Sequence, residues 1–202
     1  MSLEAKQLTF GYRGKNRKRV LESVDLTVAP GERVGLAGPS GRGKTTLCKL
    51  LSGFETPDGG TVLMDGKPLR DYRGICPVQM IWQHPETAVD PLMKLGDTLR
   101  EGGPVEDELL EALHIQPAWL ERYPAELSGG ELQRFCIARA LRPGVQYLLC
   151  DEITAMLDLI TQAQIWTFLL EQVERRDLGL VIVSHNTPLL ERLCTRIQDL
   201  DK

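Results

Sequence analysis

The sequence predicts an α/β protein built on a mostly parallel sheet, with an antiparallel β part near the N-terminus and a helical segment inserted in the middle. Three observations carry this expectation. The runs Arg33–Ala37, Tyr147–Cys150 and Leu180–Val183 are short and largely apolar, as strands covered on both faces are. Helical periodicity lies between them, most plainly over Leu159–Arg176, and strands alternating with helices favour parallel pairing. From Pro85 to Arg142 the strand-like runs give way to helical patterns, broken by Gly102-Gly103-Pro104, Pro117 and Pro124. The expected organisation is a single domain in which 1–84 and 144–202 form the core, with its antiparallel part, and 85–143 a helical subdomain.

Taken in order, Gln7–Tyr12 and Leu21–Val28 read as strands, with Pro30-Gly31 turning the chain after the second. The basic run from Arg13 to Arg19 between them reads as a solvated hairpin loop in preference to a binding patch. Arg33–Ala37 leads through a glycine-rich turn into a helix over Lys44–Leu51. Thr61–Met64 is a further strand closed by the turn pair Asp65-Gly66, and Gln79–Trp82 another short apolar stretch. Near the C-terminus, Thr187-Pro188 reads as N-cap and first-turn proline of a last helix, followed by strand-like Arg196–Leu200.

Bulk properties bound the function. With 202 residues, 42% of them hydrophobic and 26% charged, the chain is an ordinary globular protein able to bury one substantial core. A net charge of -4 argues against coating nucleic acid by bulk attraction. No apolar run approaches the roughly 18–20 residues of a membrane span, and the N-terminal residues lack a signal peptide's apolar core. Any membrane role is therefore expected to run through a partner. The five cysteines have neither metal-ligand nor redox spacing; Cys48, Cys136 and Cys150 read as small core residues of a reducing compartment.

Gly38-Pro39-Ser40-Gly41-Arg42-Gly43-Lys44-Thr45 fits the pattern G-x-x-x-x-G-K-[ST] and sits between a strand and a helix, the context that pattern requires. Glycines let the backbone curl so that successive N–H groups point at phosphate oxygens, and the helix start adds its positive dipole end. Lys44 can neutralise terminal phosphates while Thr45 offers a hydroxyl to Mg²⁺. This is the signature of a P-loop nucleotide binder, and on its own it fits a small-molecule kinase, a GTPase or a transport motor.

The strand Tyr147–Cys150 ends in Asp151-Glu152. Carboxylates at the carboxyl end of a parallel strand face the ligand crevice, so Asp151 suits a Mg²⁺ ligand and Glu152 a base for the attacking water. An exposed turn after a core strand is the plain alternative.

Leu127-Ser128-Gly129-Gly130-Glu131-Leu132-Gln133-Arg134 is the most discriminating stretch. Ser128 and Glu131 form a capping box for a helix running to about Leu141, yet capping does not ask for two glycines after the cap. Their bare amides make an anion site at a helix N-terminus. This run resembles the signature motif of ABC ATPases, and the resemblance covers essentially the whole chain in order. It implies a RecA-like P-loop NTPase core and a working dimer in which Leu127 to Glu131 of one subunit contact the γ-phosphate of ATP held by the other. The same resemblance matches Tyr12 to an aromatic that stacks on adenine and Gly38 to Thr46 to the phosphate loop. Gln83 is matched to a glutamine sensing Mg²⁺ and the membrane partner, Asp158 to the dimer-loop aspartate, and His185 to the switch histidine. Each also has a structural reading: Tyr12 packing a strand, Gln83 a polar loop residue, Asp158 a helix cap, His185 a lone histidine.

The segments Asp151–Ile165 and Gln83–Pro91 are similar to those of importers of peptides and nickel. Ile153 and Met156 depart from the usual proline and alanine, and Glu131 from the commoner glutamine. The resemblance implies ATP and Mg²⁺ as cofactors and a peripheral position on the cytoplasmic face of the membrane. Its implied partners are transmembrane permease subunits, a second ATP-binding subunit and, indirectly, a solute-binding protein, with no nucleic acid. An exporter motor, a non-transport ABC ATPase and a P-loop kinase are the competing readings.

Overall fold

The computed structural model describes residues 2–12 and 19–200. The basic run noted above lies outside them except for Arg19, which opens a strand. Strands β1 (Leu3–Gly11) and β2 (Arg19–Val28) pair antiparallel. β3 (Arg33–Ala37) leads into helix α1 (Lys44–Leu51). β4 (Gly59–Met64) and the two-residue β5 (Lys67–Pro68) form a hairpin in which Asp65 and Gly66 both have positive φ, the two-residue turn that their sequence announces. After β6 (Val78–Ile81) come α2 (Leu95–Arg100), α3 (Asp107–Ala112) and α4 (Gly129–Ala140), with 3-10 turns opened by Pro85, Pro117 and Pro124. The chain then returns through β7 (Tyr147–Asp151), α5 (Leu159–Arg176), β8 (Gly179–Val183), α6 (Thr187–Leu193) and β9 (Arg196–Asp199).

Two sheets result: an antiparallel one in the order β2-β1-β4-β5 and a fully parallel one in the order β6-β7-β8-β3-β9. The apolar runs of the parallel sheet divide between two cores by the two-residue period of a strand. Leu148, Cys150, Leu180 and Ile182 face a core shared with α4, α5 and the residues of α2 and α3. Tyr147, Leu149, Val181 and Val183 face the other way, onto α1 and the antiparallel sheet. Every residue of β7 and β8 is buried, so the sheet is a wall clothed on both sides.

Two differences from expectation have local causes. β1 begins at Leu3 rather than Gln7, because its buried positions run Leu3, Ala5 and then shift phase to Leu8 and Phe10. The shift is a bulge at Gln7, whose φ is 50°. Gly60 crosses beside it, and a Cβ there would lie 2.3 Å from the carbonyl oxygens of both Lys6 and Gln7. The last helix is capped by Asn186, not Thr187: the Asn186 side chain accepts a hydrogen bond from the Leu189 amide at 3.1 Å, leaving Thr187 and Pro188 inside the first turn. All five cysteines are free, with Cys48, Cys136 and Cys150 buried. Among the described residues no helix is long and apolar enough to cross a membrane.

Candidate nucleotide site

The phosphate loop joins the carboxyl end of β3 to α1. Gly43, the residue before α1, has φ 92°, and a Cβ on it would meet Leu21 Cδ2 at 2.6 Å and Val20 Cγ1 at 2.9 Å. Glycine therefore serves both the backbone turn and the close approach of β2. Pro39, Ser40, Gly41, Arg42 and Thr45 are exposed and Gly38 half-buried, while Lys44 is only 5% exposed. The Lys44 ammonium donates to the carbonyl oxygens of Gly38 at 2.6 Å and Pro39 at 3.0 Å, so the charge lies along the inside of the loop. Thr46, buried behind it, shares a 3.3 Å hydrogen bond with the Tyr12 hydroxyl. Tyr12 stands edge-on to Phe10 and leaves 43% of its surface to solvent.

At the end of β7, Asp151 is 4% exposed and accepts a hydrogen bond from the Thr45 hydroxyl at 3.1 Å. Burial pushes its carboxyl above the ordinary range. The Thr45 bond pulls it back, the neighbouring Glu152 charge pushes it up, and Lys49 and Lys44 pull it down. A buried carboxylate beside a hydroxyl is an all-oxygen donor set of the kind that hard divalent cations prefer.

Glu152 leaves the strand in a left-handed conformation, φ 50°, that redirects its side chain away from that of Asp151. Its amide donates to the Val183 carbonyl at 3.1 Å, tying this turn to the end of β8. That tie places the Glu152 carboxylate 2.9 Å from His185 Nε2, itself 3.4 Å from Ser40 Oγ. Three segments far apart in sequence thus converge because β3, β7 and β8 end on the same edge of one sheet.

The signature stretch lies elsewhere on the surface. Ser128 caps α4, and the Glu131 carboxylate accepts from both the Ser128 amide, at 2.7 Å, and its hydroxyl, at 2.8 Å. These bonds hold the Glu131 carboxyl below its ordinary range. Ser128 and Gly129 are exposed, Leu127, Gly130 and Glu131 half-buried, and nothing lies within 4 Å of where a Gly129 Cβ would be. They border a groove of about 500 Å³ whose lining includes Gln83, Met156 and Asp158. Gln83 thus stands with the signature, and no hydrogen bond among the described residues joins it to Thr45 or Asp151. Asp158 caps α5, accepting from the Ile160 and Thr161 amides at 3.0 Å and from the Thr161 hydroxyl at 2.6 Å. The Thr161 hydroxyl is the chief cause of its lowered carboxyl pKa.

One polar side chain of the Leu127–Arg134 run, given no role by the sequence, stands beside the groove. Gln133 is 1% exposed and donates to the Trp82 carbonyl at 3.3 Å. Its signal in the sequence is a glutamine flanked by Leu132, Phe135 and Cys136 on the core-facing side of a helix.

Comparison with known proteins gives the family and the fold. A family model described as ABC transporter matches residues 21–155. The nickel import ATP-binding protein NikE of Rhodospirillum rubrum is 38% identical over 205 residues, covering 92% of this chain and 73% of that protein. Its namesake from Escherichia coli K12 is 34% identical over 214 residues, covering 95% and 78%. Among solved structures, a dimeric ATP-binding cassette in a post-hydrolysis state bound to ADP and Pi aligns with a TM-score of 0.85 at 26% identity, over 98% of this chain and 93% of that one. An ATP-binding subunit of an ABC transporter aligns with a TM-score of 0.84, also at 26% identity, over 98% and 85%. With a phosphate loop, an acidic strand end and a glycine-opened signature helix set out on that fold, the chain belongs to the ABC transporter family.

Proposed function

We propose that this ATPase is the motor of a membrane importer, of the kind that takes up nickel or peptides, and that it works as one of a facing pair. The observation that carries the reading is the split character of the site. Lys44, Thr45 and Asp151 gather at one sheet edge, while Ser128, Gly129 and Gly130 stand exposed at the start of α4. A second subunit turned towards the first brings its signature amides to the ATP on the opposite loop.

In this reading ATP lies along Gly38, Pro39, Ser40, Gly41, Arg42, Gly43, Lys44, Thr45 and Thr46, with its base against Tyr12. Thr45 and Asp151, joined by Gln83 from its loop, would hold Mg²⁺, whose positive charge offsets the negative charge of the phosphates. Lys44 neutralises phosphate charge. Glu152 takes a proton from the attacking water, and His185, within reach of both Glu152 and Ser40, orients the terminal phosphate. Leu127 to Glu131 serve the ATP of the facing subunit, and Asp158 lies in the loop between the two. Closure on ATP and reopening on hydrolysis move segment 85–143 against the core formed by 1–84 and 144–202.

Nickel import rests on the NikE relatives, whose names describe nickel import ATP-binding proteins. The partners are transmembrane permease subunits, a second ATP-binding subunit, identical or sister, and indirectly a solute-binding protein; nucleic acid is not among them. The chain sits at the cytoplasmic face through those permeases. An exporter motor or a phosphate-transferring kinase is less well supported, since a kinase leaves the exposed signature amides without a task.

The test is two-fold. ATPase activity should rise with more than the first power of subunit concentration, and a tagged chain should co-purify with membrane subunits whose loss abolishes nickel or peptide uptake. Acceptor-dependent ADP formation by an isolated monomer, or capture of RNA in place of membrane subunits, would reject the proposal.

A further inference from the structure

Helix α4 carries the signature at its N-terminus, and its flank does something that motif reading does not reveal. Three side chains spaced three residues apart reach across to the segment after β6. Gln133 Nε2 donates to the Trp82 carbonyl at 3.3 Å, the Cys136 thiol to the Pro85 carbonyl at 3.7 Å, and Arg139 to the Ala88 carbonyl. The acceptors are also spaced three apart. Pro85 opens the 3-10 turn Pro85–Thr87, Trp82 precedes that turn and Ala88 ends it, so the three acceptors span the segment from one side of the turn to the other. Arg139 is held from its other side by Glu101 at 3.3 Å.

The first rung is the telling one. Gln133 is 1% exposed, and a buried amide is costly unless it is hydrogen-bonded. Its bond goes to the carbonyl immediately before Gln83. Ser128, five residues back, is the exposed cap of the same helix. The Gln83 loop and the signature are thereby joined through one helix.

We propose that Gln133 is a positioning residue that makes residues 82–88 and α4 a single mechanical piece, so that displacement at Gln83 is delivered to Ser128 and its glycines. Gln133 touches no nucleotide in the arrangement above; it acts through Trp82 and α4. The inference rests on the proposed motor reading, in which Gln83 and the signature serve ATPs on opposite subunits. The same stitching gives each subunit a direct line between its two duties.

The test replaces Gln133 by Met, which keeps the length and loses the donor. Hydrogen–deuterium exchange is measured on the ATP-binding subunit alone, and ATPase on the complex with its permeases. The amides of 83–88 should exchange on the order of tenfold faster in Gln133→Met, with those of α1 unchanged. ATP affinity of the subunit should stay within about twofold, and kcat of the complex should fall about tenfold at unchanged KM. Arg139→Gln, at the half-buried third rung, should do the same more weakly, and carries the test if the Met variant does not fold. Unchanged exchange at 83–88 in the folded variants overturns the proposal. So does faster exchange spread evenly over the whole subunit, which marks a merely structural glutamine. Because exchange needs no turnover, a parent protein without ATPase activity would sink the motor reading while leaving the exchange result to decide the stitching.

Discussion

Around the phosphate loop the chain meets its own needs, whereas at the start of α4 it leaves them open. Lys44 is buried with its ammonium on the Gly38 and Pro39 carbonyls, and Thr45 is bonded to a buried Asp151. At the signature, the Ser128 hydroxyl is bonded to Glu131, Gly129 faces open space, and Met156 of the same groove, with Leu159 and Ile160 at the start of α5, expose 74%, 82% and 72% of their surfaces. A site that closes on itself can bind alone; one that presents bare amides and apolar side chains is built to be covered. The contrast teaches that affinity for nucleotide and rate of hydrolysis should respond to different halves of the molecule.

The sharpest way to break that contrast is Glu152→Gln, which keeps the shape and removes the proposed base. Turnover should fall by about 10²–10⁴-fold, the usual contribution of a general base, while ATP binding survives and the dimer lasts longer. Phosphate release and gel filtration with ATP check both, and turnover at the parental rate sinks the assignment. Next in size is Gly129→Asp. Space for the new side chain is open, so the fold should persist, but in the proposed pairing a carboxylate would meet the facing triphosphate. ATPase activity should drop on the order of 10²-fold, comparable to losing one preorganised donor, with the monomer's ATP affinity intact. A monomer that loses affinity equally would show that the signature belongs to its own subunit's pocket.

Lys44→Ala attacks the other half. Charge-assisted hydrogen bonds contribute about 1.5–3 kcal/mol, so ATP affinity should fall roughly tenfold to a hundredfold. Titration calorimetry on the monomer is the measurement, because the signature has no part in it. Unchanged affinity would mean that the ammonium stays on its two carbonyls and never turns to phosphate.

In both halves the local chemistry is legible in the sequence. Phosphate loop and capping box are local chemistry: Gly43, Lys44, Ser128 and Glu131 announce themselves at fixed short spacings, and so do the two-faced strands β7 and β8. Where periodicity slips or choices are degenerate, the sequence is a weaker guide. The bulge at Gln7 hides the start of β1, and Asn186 and Thr187 are both good caps, so only the bond to the Leu189 amide separates them. Contacts between distant segments are not legible at all. The meeting of Glu152 with His185 depends on β7 lying beside β8, and the Gln133 bond on where α4 crosses the loop after β6. Strand order is decided by how cores pack, and no short spacing records it.

The smallest expected effect concerns stability and isolates Asp151. Its carboxyl is raised above the ordinary 3.8, chiefly by burial, so folding favours the protonated form. The sign follows from linkage: stability from this group is greatest below its unfolded pKa and is lost as pH rises through the folded value. Ionising Asp151 is therefore a cost to the ligand-free fold. Asp151→Asn removes that cost and can still accept the Thr45 hydroxyl bond. The variant should melt a few degrees higher than the parent at pH 7, and the gap should close as pH falls towards 4. Adding Mg²⁺ with a non-hydrolysable ATP analogue should reverse the order, because a cation offsets the parent's buried charge and gains less from a neutral amide. A variant that melts lower at every pH would show that the carboxylate is already compensated by Lys44 and Lys49, and that the loop needs no cation to complete it.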